Sequence, residues 1–196
     1  GGRIITDAEK DGYKPPKYLN SAETPVFNKG KNLFSLNLAK KDSSARCILC
    51  EGYMDVISVY QAGVTNIVAT LGTALTENQA KLLMKYTNEI LLCYDSDEAG
   101  QAATKRAIEI VNSVGGRCRV MRLNNAKDPD EYIKKFGTES FRKLIEGSQT
   151  EFDYKFGKIL AKYDFGITAE KIKALDESEK LIAQVLSAAE REIYIH

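Results

Sequence analysis

Histidine is almost missing from this chain of 196 residues, since the only one is the final residue, His196. That scarcity argues strongly against catalysis through a Ser-His-Asp or Cys-His arrangement and against the usual histidine-bearing zinc sites. The chain also has no apolar run near twenty residues and no signal-type amino end. Because such segments are needed for membrane insertion or secretion, we expect a cytoplasmic protein with no membrane partner.

Cysteine is scarce, with four residues at positions 47, 50, 93 and 118. Only Cys47 and Cys50 have the Cys-x-x-Cys spacing, and in an extended strand residues three apart point to opposite faces. One ion could not then be held by both. We therefore interpret all four as buried thiols of a reducing compartment.

Charge of one sign is not in large excess, since the formal net charge is only +1. Residues 1–46 nevertheless carry nine Lys/Arg against five Asp/Glu, whereas residues 47–150 carry twelve against thirteen. A nearly neutral chain is a poor electrostatic signature for a nucleic-acid binder. The basic excess at the front could serve a phosphorylated ligand, or it could be a solvated loop.

From residue 46 onward, short apolar runs alternate with amphipathic stretches. This pattern predicts strands at 47–51, 66–71, 89–94 and 117–123, with helices at 53–62, 76–86, 98–114, 130–136 and 140–146. Such alternation is typical of an α/β domain with a parallel sheet and helices on both faces. We expect three regions: an irregular segment at 1–45, the α/β domain at 46–147, and a helical region at 148–196 with two helices joined around Gly166.

Acidic residues follow three of the predicted strands. They are Glu51 after the first, Asp95 and Asp97 after the third, and Asp128 and Asp130 after the fourth. Ligands of open parallel sheets bind at the carboxyl ends of the strands, so these side chains belong on one rim. Two carboxylates about 4 Å apart repel by roughly 4 kcal/mol at an effective dielectric near 20. A divalent cation would relieve that repulsion, and the sequence predicts a magnesium-type site.

Each acidic cluster also has a purely structural interpretation. Asp128-Pro129-Asp130-Glu131 is a good helix start, with an acidic cap and a proline at the first helical position. Asp97 could likewise be placed to suit the dipole of the next helix. It is the expected convergence of all three clusters on one rim that favours the metal site.

Several motifs together look like the toprim domain of bacterial DnaG-type DNA primases. They are Glu51-Gly52-Tyr53-Met54-Asp55-Val56, Leu71-Gly72-Thr73, the segment from Cys93 to Gly100, and Asp128-Pro129-Asp130. Upstream, the stretch from Pro16 to Pro25 and Phe27-Asn28-Lys29-Gly30 resemble the region before toprim in the family's polymerase core. The resemblance runs from about residue 16 to 147. It makes residues 1–45 part of the amino-terminal subdomain of that core.

The resemblance implies an enzyme that copies single-stranded DNA into a short RNA primer by transferring nucleotidyl groups from ribonucleoside triphosphates. It implies that Asp95, Asp97, Asp128 and Asp130 bind Mg²⁺ or Mn²⁺. Glu51 would be a catalytic or metal-linked residue at the same centre, with Asp95 and Asp97 also catalytic. We expect Asp55 to support the ligands from behind, or to compensate charge at the start of its helix.

Basic residues near the front complete the expected site. The resemblance implies that Lys29 contacts nucleotide or template phosphate, with Lys31 and Arg3 as further candidates, and solvated side chains are the alternative. The chain lacks the family's zinc-binding module and the front half of its core, so we expect a fragment whose activity alone is doubtful. We also expect the region that contacts the replicative helicase to be absent from this chain.

Two other functions remain open from the sequence. Another toprim enzyme, such as a topoisomerase or nuclease piece, would share the acidic elements. A phospho-acceptor signalling domain would need its acidic pair after the first strand, whereas here the pair Asp95 and Asp97 follows the third.

Overall fold

The computed structural model describes residues 2–3, 18–185 and 187–195. The chain divides into two compact units, Gly1–Ser148 and Gln149–His196. Residues 4–17 and His196 lie outside the described part, as does the side chain of Arg3.

A parallel sheet organises the first unit. Its strands are β3 (Arg46–Cys50), β4 (Ile67–Ala69), β5 (Glu89–Leu92) and β6 (Cys118–Val120), and their order in space is β4-β3-β5-β6. All three neighbouring pairs are parallel, with Leu49 level with Leu92 and Leu92 level with Val120. The strands are almost wholly buried, which explains why they read as continuous apolar runs in the sequence.

The crossovers between the strands are helical. They are α2 (Tyr53–Gln61), α3 (Glu77–Leu83) and α4 (Glu98–Ser113), and a further helix, α5 (Pro129–Glu146), follows β6. The helix α2 packs against α5, and α3 packs against α4. One face of the sheet contributes Ile48, Ile67 and Leu91 to a core with Val59 of α2 and Phe141 of α5. The alternate strand residues point to the opposite face, so the predicted α/β fold with helices on both faces is confirmed.

Before the sheet, the described residues 2–3 and 18–45 form only short elements. They are β1 (Gly2–Arg3) paired antiparallel with β2 (Tyr18–Leu19), a 3₁₀ turn at Lys29–Lys31, and α1 (Leu36–Ala39). Phe34 bridges to Ala69 at the carboxyl end of β4 through hydrogen bonds of 2.8 and 3.3 Å. Residues around position 30 therefore lie beside the rim of the sheet where the acidic motifs emerge.

The second unit contains β7 (Gln149–Thr150) and three helices, α6 (Glu151–Lys162), α7 (Thr168–Ala183) and α8 (Ala188–Ile195). The sequence predicted only two helices here. The apolar spacing that predicts the second helix ends at Leu186, and α8 begins two residues later. Stacking of Phe152 on Tyr194, with ring centroids 3.6 Å apart, fixes α8 within the unit.

Most predicted elements of the first unit are present with ends shifted by up to three residues. The observed β5 ends at Leu92, so Asp95 and Asp97 lie in a connecting loop and not in continuing strand. The two helices expected at 130–136 and 140–146 form α5, which is broken at Gly137, where φ is 79°. Within the residues that the structure describes, no helix is long and apolar enough to cross a membrane.

Candidate metal centre

The carboxyl ends of β3 and β5 bring the first two acidic motifs side by side. Cys93 continues the register of β5 by donating a backbone hydrogen bond of 2.9 Å to Leu49. Glu51 and Asp95 follow these two strands within three residues of their ends. The parallel pairing thus places both carboxylates on one rim, as expected.

Glu51 has an oxygen that the fold leaves without a partner. Its Oε1 atom is buried and has no hydrogen bond within the described residues. Burial raises the pKa of the Glu51 carboxyl, a backbone hydrogen bond from Asp95 opposes the rise, and repulsion from Asp97 adds to it. A buried and unsatisfied carboxylate oxygen is costly, and a bound cation would remove the cost.

Asp95 is the most crowded of the predicted ligands. Burial, followed by the charges of Glu51, Asp128 and Asp97, raises its pKa to about 6, with Lys127 acting in the opposite direction. These causes connect residues from all three acidic motifs. The loop holding Asp95 is tied to the third motif, because the Ser96 backbone N–H donates to the Lys127 carbonyl at 2.9 Å.

Asp55 belongs to the same acidic group, although the sequence suggested only an indirect role for it. Its side chain is 8% exposed, and burial, Asp128 and Asp95 raise its pKa to about 7. It accepts hydrogen bonds from the backbone N–H groups of Gly52, at 3.2 Å, and Asp130. The four-residue spacing from Glu51 was the available signal, because it places Asp55 in the first turn of α2.

The other predicted ligands also perform structural tasks. Asp97 caps α4 by accepting from the Gly100 N–H at 2.9 Å, and Asp128 caps α5 by accepting from the Glu131 N–H at 2.8 Å. Asp130 forms an ion pair of 2.6 Å with Lys134. The capping interpretation of the sequence therefore holds for both motifs, and each cap bond uses the Oδ1 atom.

The acidic residues lie close enough to repel one another, but they do not form a complete set of metal ligands. Across residues 18–185 and 187–195, no three Asp, Glu, Cys or His side chains are arranged around one point as ligands of an ion. The donor chemistry still fits a hard divalent cation, because the group consists of carboxylates and includes the unsatisfied oxygen of Glu51.

A cavity of about 330 Å³ opens beside Glu51. Its walls come from the loop after β4 and from α4, and its polar lining includes Tyr94 and Arg106. Burial, and then the charge of Glu51, raises the pKa of the Tyr94 hydroxyl. The cavity extends the acidic rim toward the first turn of α3.

The turn that contains Lys29 and Lys31 packs against the start of α3. Lys31 is exposed and Lys29 is half-buried, and neither ammonium forms an ion pair within the described part of the chain. The backbone of Arg3 pairs with Tyr18 in β1 and β2. The structure thus joins Lys29 and Lys31 to one short turn and does not describe the side chain of Arg3.

This parallel sheet with an acidic rim defines a toprim-type domain, and a Toprim-like family model matches residues 48–133. Models of the DNA primase catalytic core N-terminal domain and of the DnaB-helicase binding domain of primase match residues 1–40 and 152–196. The chain belongs to the DnaG-type DNA primase family, and the resemblance seen in the sequence is confirmed.

Known primases are similar to this chain along almost its whole length. The DNA primase of Clostridium acetobutylicum is 40% identical over 196 residues, which are 100% of this chain and 32% of that protein. The Aquifex aeolicus primase structure, with zinc-binding and RNA polymerase domains, has a TM-score of 0.77 at 36% identity and covers 98% of this chain and 45% of its own. A DnaG primase catalytic domain bound to ssDNA has a TM-score of 0.74 at 34% identity, covering 93% and 61%.

The chain spans about a third of the length of the curated relatives it matches. One expectation about its content is corrected by the family models. We expected the helicase-contacting region to be absent, whereas the DnaB-helicase binding domain model matches residues 152–196. The spacing of apolar residues in this region predicts amphipathic helices, but the sequence there has no motif that identifies a partner.

Proposed function

We propose that this chain is part of the catalytic core of a DNA primase. The whole enzyme would make short RNA primers on single-stranded DNA by metal-dependent nucleotidyl transfer during replication. The single observation that carries the proposal is the acidic group at the rim. Burial and mutual repulsion raise the pKa values of Glu51, Asp55 and Asp95, and one Glu51 oxygen lacks a partner. Such an arrangement is stabilised by cations and suits work on triphosphates.

The predicted ligands are Glu51, Asp95, Asp97, Asp128 and Asp130, with Mg²⁺ or Mn²⁺ as the ion. When bound, the ions would supply positive charge to the triphosphate and the leaving pyrophosphate. With histidine absent before position 196, a carboxylate of this group is the available protein acceptor for the proton of the attacking 3′-hydroxyl. Glu51 suits that role, because burial raises its pKa.

Basic residues complete the proposed site. Lys29, with Lys31 and Arg3, would bind phosphates of the ribonucleoside triphosphate or of the template. Their cationic heads suit phosphate oxygens. Single-stranded DNA is proposed as the template partner because one similar catalytic domain is described as bound to ssDNA. The replicative helicase is proposed to bind through residues 152–196, which the DnaB-helicase binding domain model matches.

The proposal is tested with a chimera of the Clostridium acetobutylicum primase in which the matched region is replaced by this chain. The expected result is Mg²⁺- or Mn²⁺-dependent synthesis of short RNA on a single-stranded DNA template. A Glu51→Gln chimera is the matched control and should bind template but make no primer. Cleavage of DNA without synthesis would favour another toprim enzyme and contradict the proposal.

A further inference from the structure

The turn that carries Lys29 and Lys31 rests on the amino-terminal cap of α3. Thr76 and Gln79 form a capping box there: Gln79 N–H donates to Thr76 Oγ1 at 3.1 Å, and Thr76 N–H donates to Gln79 Oε1 at 3.0 Å. A capping box of this kind satisfies helix amides and needs nothing else from either side chain. Both side chains, however, have a second set of contacts.

That second set holds the backbone of the basic turn. The Nε2 atom of Gln79 donates to the carbonyls of Lys29 and Asn32, each at 2.8 Å, and Thr76 Oγ1 donates to the Gly30 carbonyl at 2.5 Å. Gln79 is fully buried, and both Oε1 and Nε2 of its side-chain amide form hydrogen bonds. A buried amide with complete hydrogen bonding to residues about fifty positions away fixes those residues in space.

Other contacts hold the turn from its outer side. The Lys29 N–H donates to Glu23 Oε1 at 3.1 Å, and Asn32 Nδ2 donates to the Asn28 carbonyl at 2.8 Å. A Cβ on Gly30 would lie 3.4 Å from Thr76 Cγ2, so the turn packs closely on the cap. The turn is thus fixed by hydrogen bonds and close packing and is not a solvated loop.

We propose that Gln79 and Thr76 are positioning residues that hold Lys29 and Lys31 at the acidic rim for binding of the triphosphate. This inference rests on the proposed function. The loop leading into the cap, through Thr73 and Leu75, lines the cavity beside Glu51. The same short segment therefore links the cavity beside Glu51 to the helix cap on which the basic turn rests.

The test uses Gln79→Met, which is neutral and similar in length but cannot donate to the turn. Titration of the 196-residue protein with ATP in the presence of Mn²⁺ should show affinity weakened about tenfold, with Mn²⁺ affinity unchanged. Hydrogen exchange of amides at 28–33 should accelerate. Thr76→Gly is the second variant, since glycine is tolerated at a helix cap. Thr76→Ser keeps the hydroxyl and is the matched control, which should bind ATP like the parent.

A double-mutant cycle separates positioning from general loss of structure. In a Lys29→Ala/Lys31→Ala background, Gln79→Met should weaken ATP binding by less than twofold, because no cations remain to be positioned. If the lysine variant weakens binding but Gln79→Met and Thr76→Gly do not, the positioning role is wrong and the lysine role stands. If the lysine variant binds ATP like the parent, the proposed phosphate contact fails, and the positioning role fails with it.

Discussion

At the scale of single residues, Asp55 and Asp95 make the stability of the metal-free protein depend on pH. Their folded-state pKa values, about 7 and about 6, lie above the ordinary value of 3.8. Between pH 4 and pH 7 the folded state therefore binds more protons than the unfolded state, and the free energy of unfolding falls as pH rises.

We predict that the metal-free protein is more stable at pH 5 than at pH 8. The buried Asp55 sets the scale: a rise in pKa from 3.8 to about 7 corresponds to roughly 4 kcal/mol over the whole titration, of which about 2.6 kcal/mol falls between pH 5 and pH 8. Urea unfolding at both pH values, in the presence of a chelator, measures the difference. Asp55→Asn should remove most of it, and an unchanged pH dependence in that variant would contradict the assignment.

Substitutions of Asp95 and Asp97 should separate ligation from capping. Asn at position 97 keeps a good helix cap, so Asp97→Asn should weaken Mn²⁺ binding with little change in stability. Asp95→Asn should also weaken Mn²⁺ binding and should raise metal-free stability, because it removes a charge that three neighbouring carboxylates repel. Calorimetric titration with Mn²⁺ measures affinity, and unchanged affinity in both variants would refute their role as ligands.

At the scale of elements, the start of α4 depends on a glycine. A Cβ on Gly100 would lie 2.1 Å from the Asp95 carbonyl oxygen, whereas a Cβ on Gly157 of α6 would have no atom within 4 Å. We predict that Gly100→Ala destabilises the protein by about 3 kcal/mol or more, because helix and loop must separate. It should also weaken Mn²⁺ binding by displacing Asp95.

The matched control for that prediction is Gly157→Ala. Alanine in an open position of a helix interior should stabilise the protein by about 0.5 to 1 kcal/mol. Both variants are compared by urea unfolding and by Mn²⁺ titration. Equal tolerance of alanine at the two positions would show that the close approach of α4 to Asp95 is not required.

The elements of the sheet domain were predictable because each carries a local signal. The helical pattern predicted the start of α3 to within one residue, and the apolar strands predicted the parallel sheet. The sequence could not reveal that Gln79 also bonds to residues fifty positions earlier, since no periodicity encodes such a contact. The hydrogen bond that Asp55 accepts from the backbone N–H of Asp130 was hidden for the same reason, because Asp130 lies at the start of a distant helix.

At the scale of the whole molecule, each compact unit has its own packing. The core of buried aliphatic residues around Ile48 and Phe141 belongs to the first unit. The second unit has its own aromatic stack of Phe152 on Tyr194 and buries Leu181. The predicted metal ligands all lie in the first unit, so metal binding should affect the two units unequally.

We predict that Mn²⁺ stabilises residues 18–148 and leaves the second unit unchanged. At a free Mn²⁺ concentration one hundred times the dissociation constant, mass action contributes about 2.7 kcal/mol to the unit that binds the ion. Hydrogen exchange followed by peptide mapping measures both units in one sample. Amides of β3 and β5 should become better protected, whereas those of α7 should not. Asp95→Asn should reduce the protection at the same Mn²⁺ concentration, and equal protection of α7 would show that the two units unfold together.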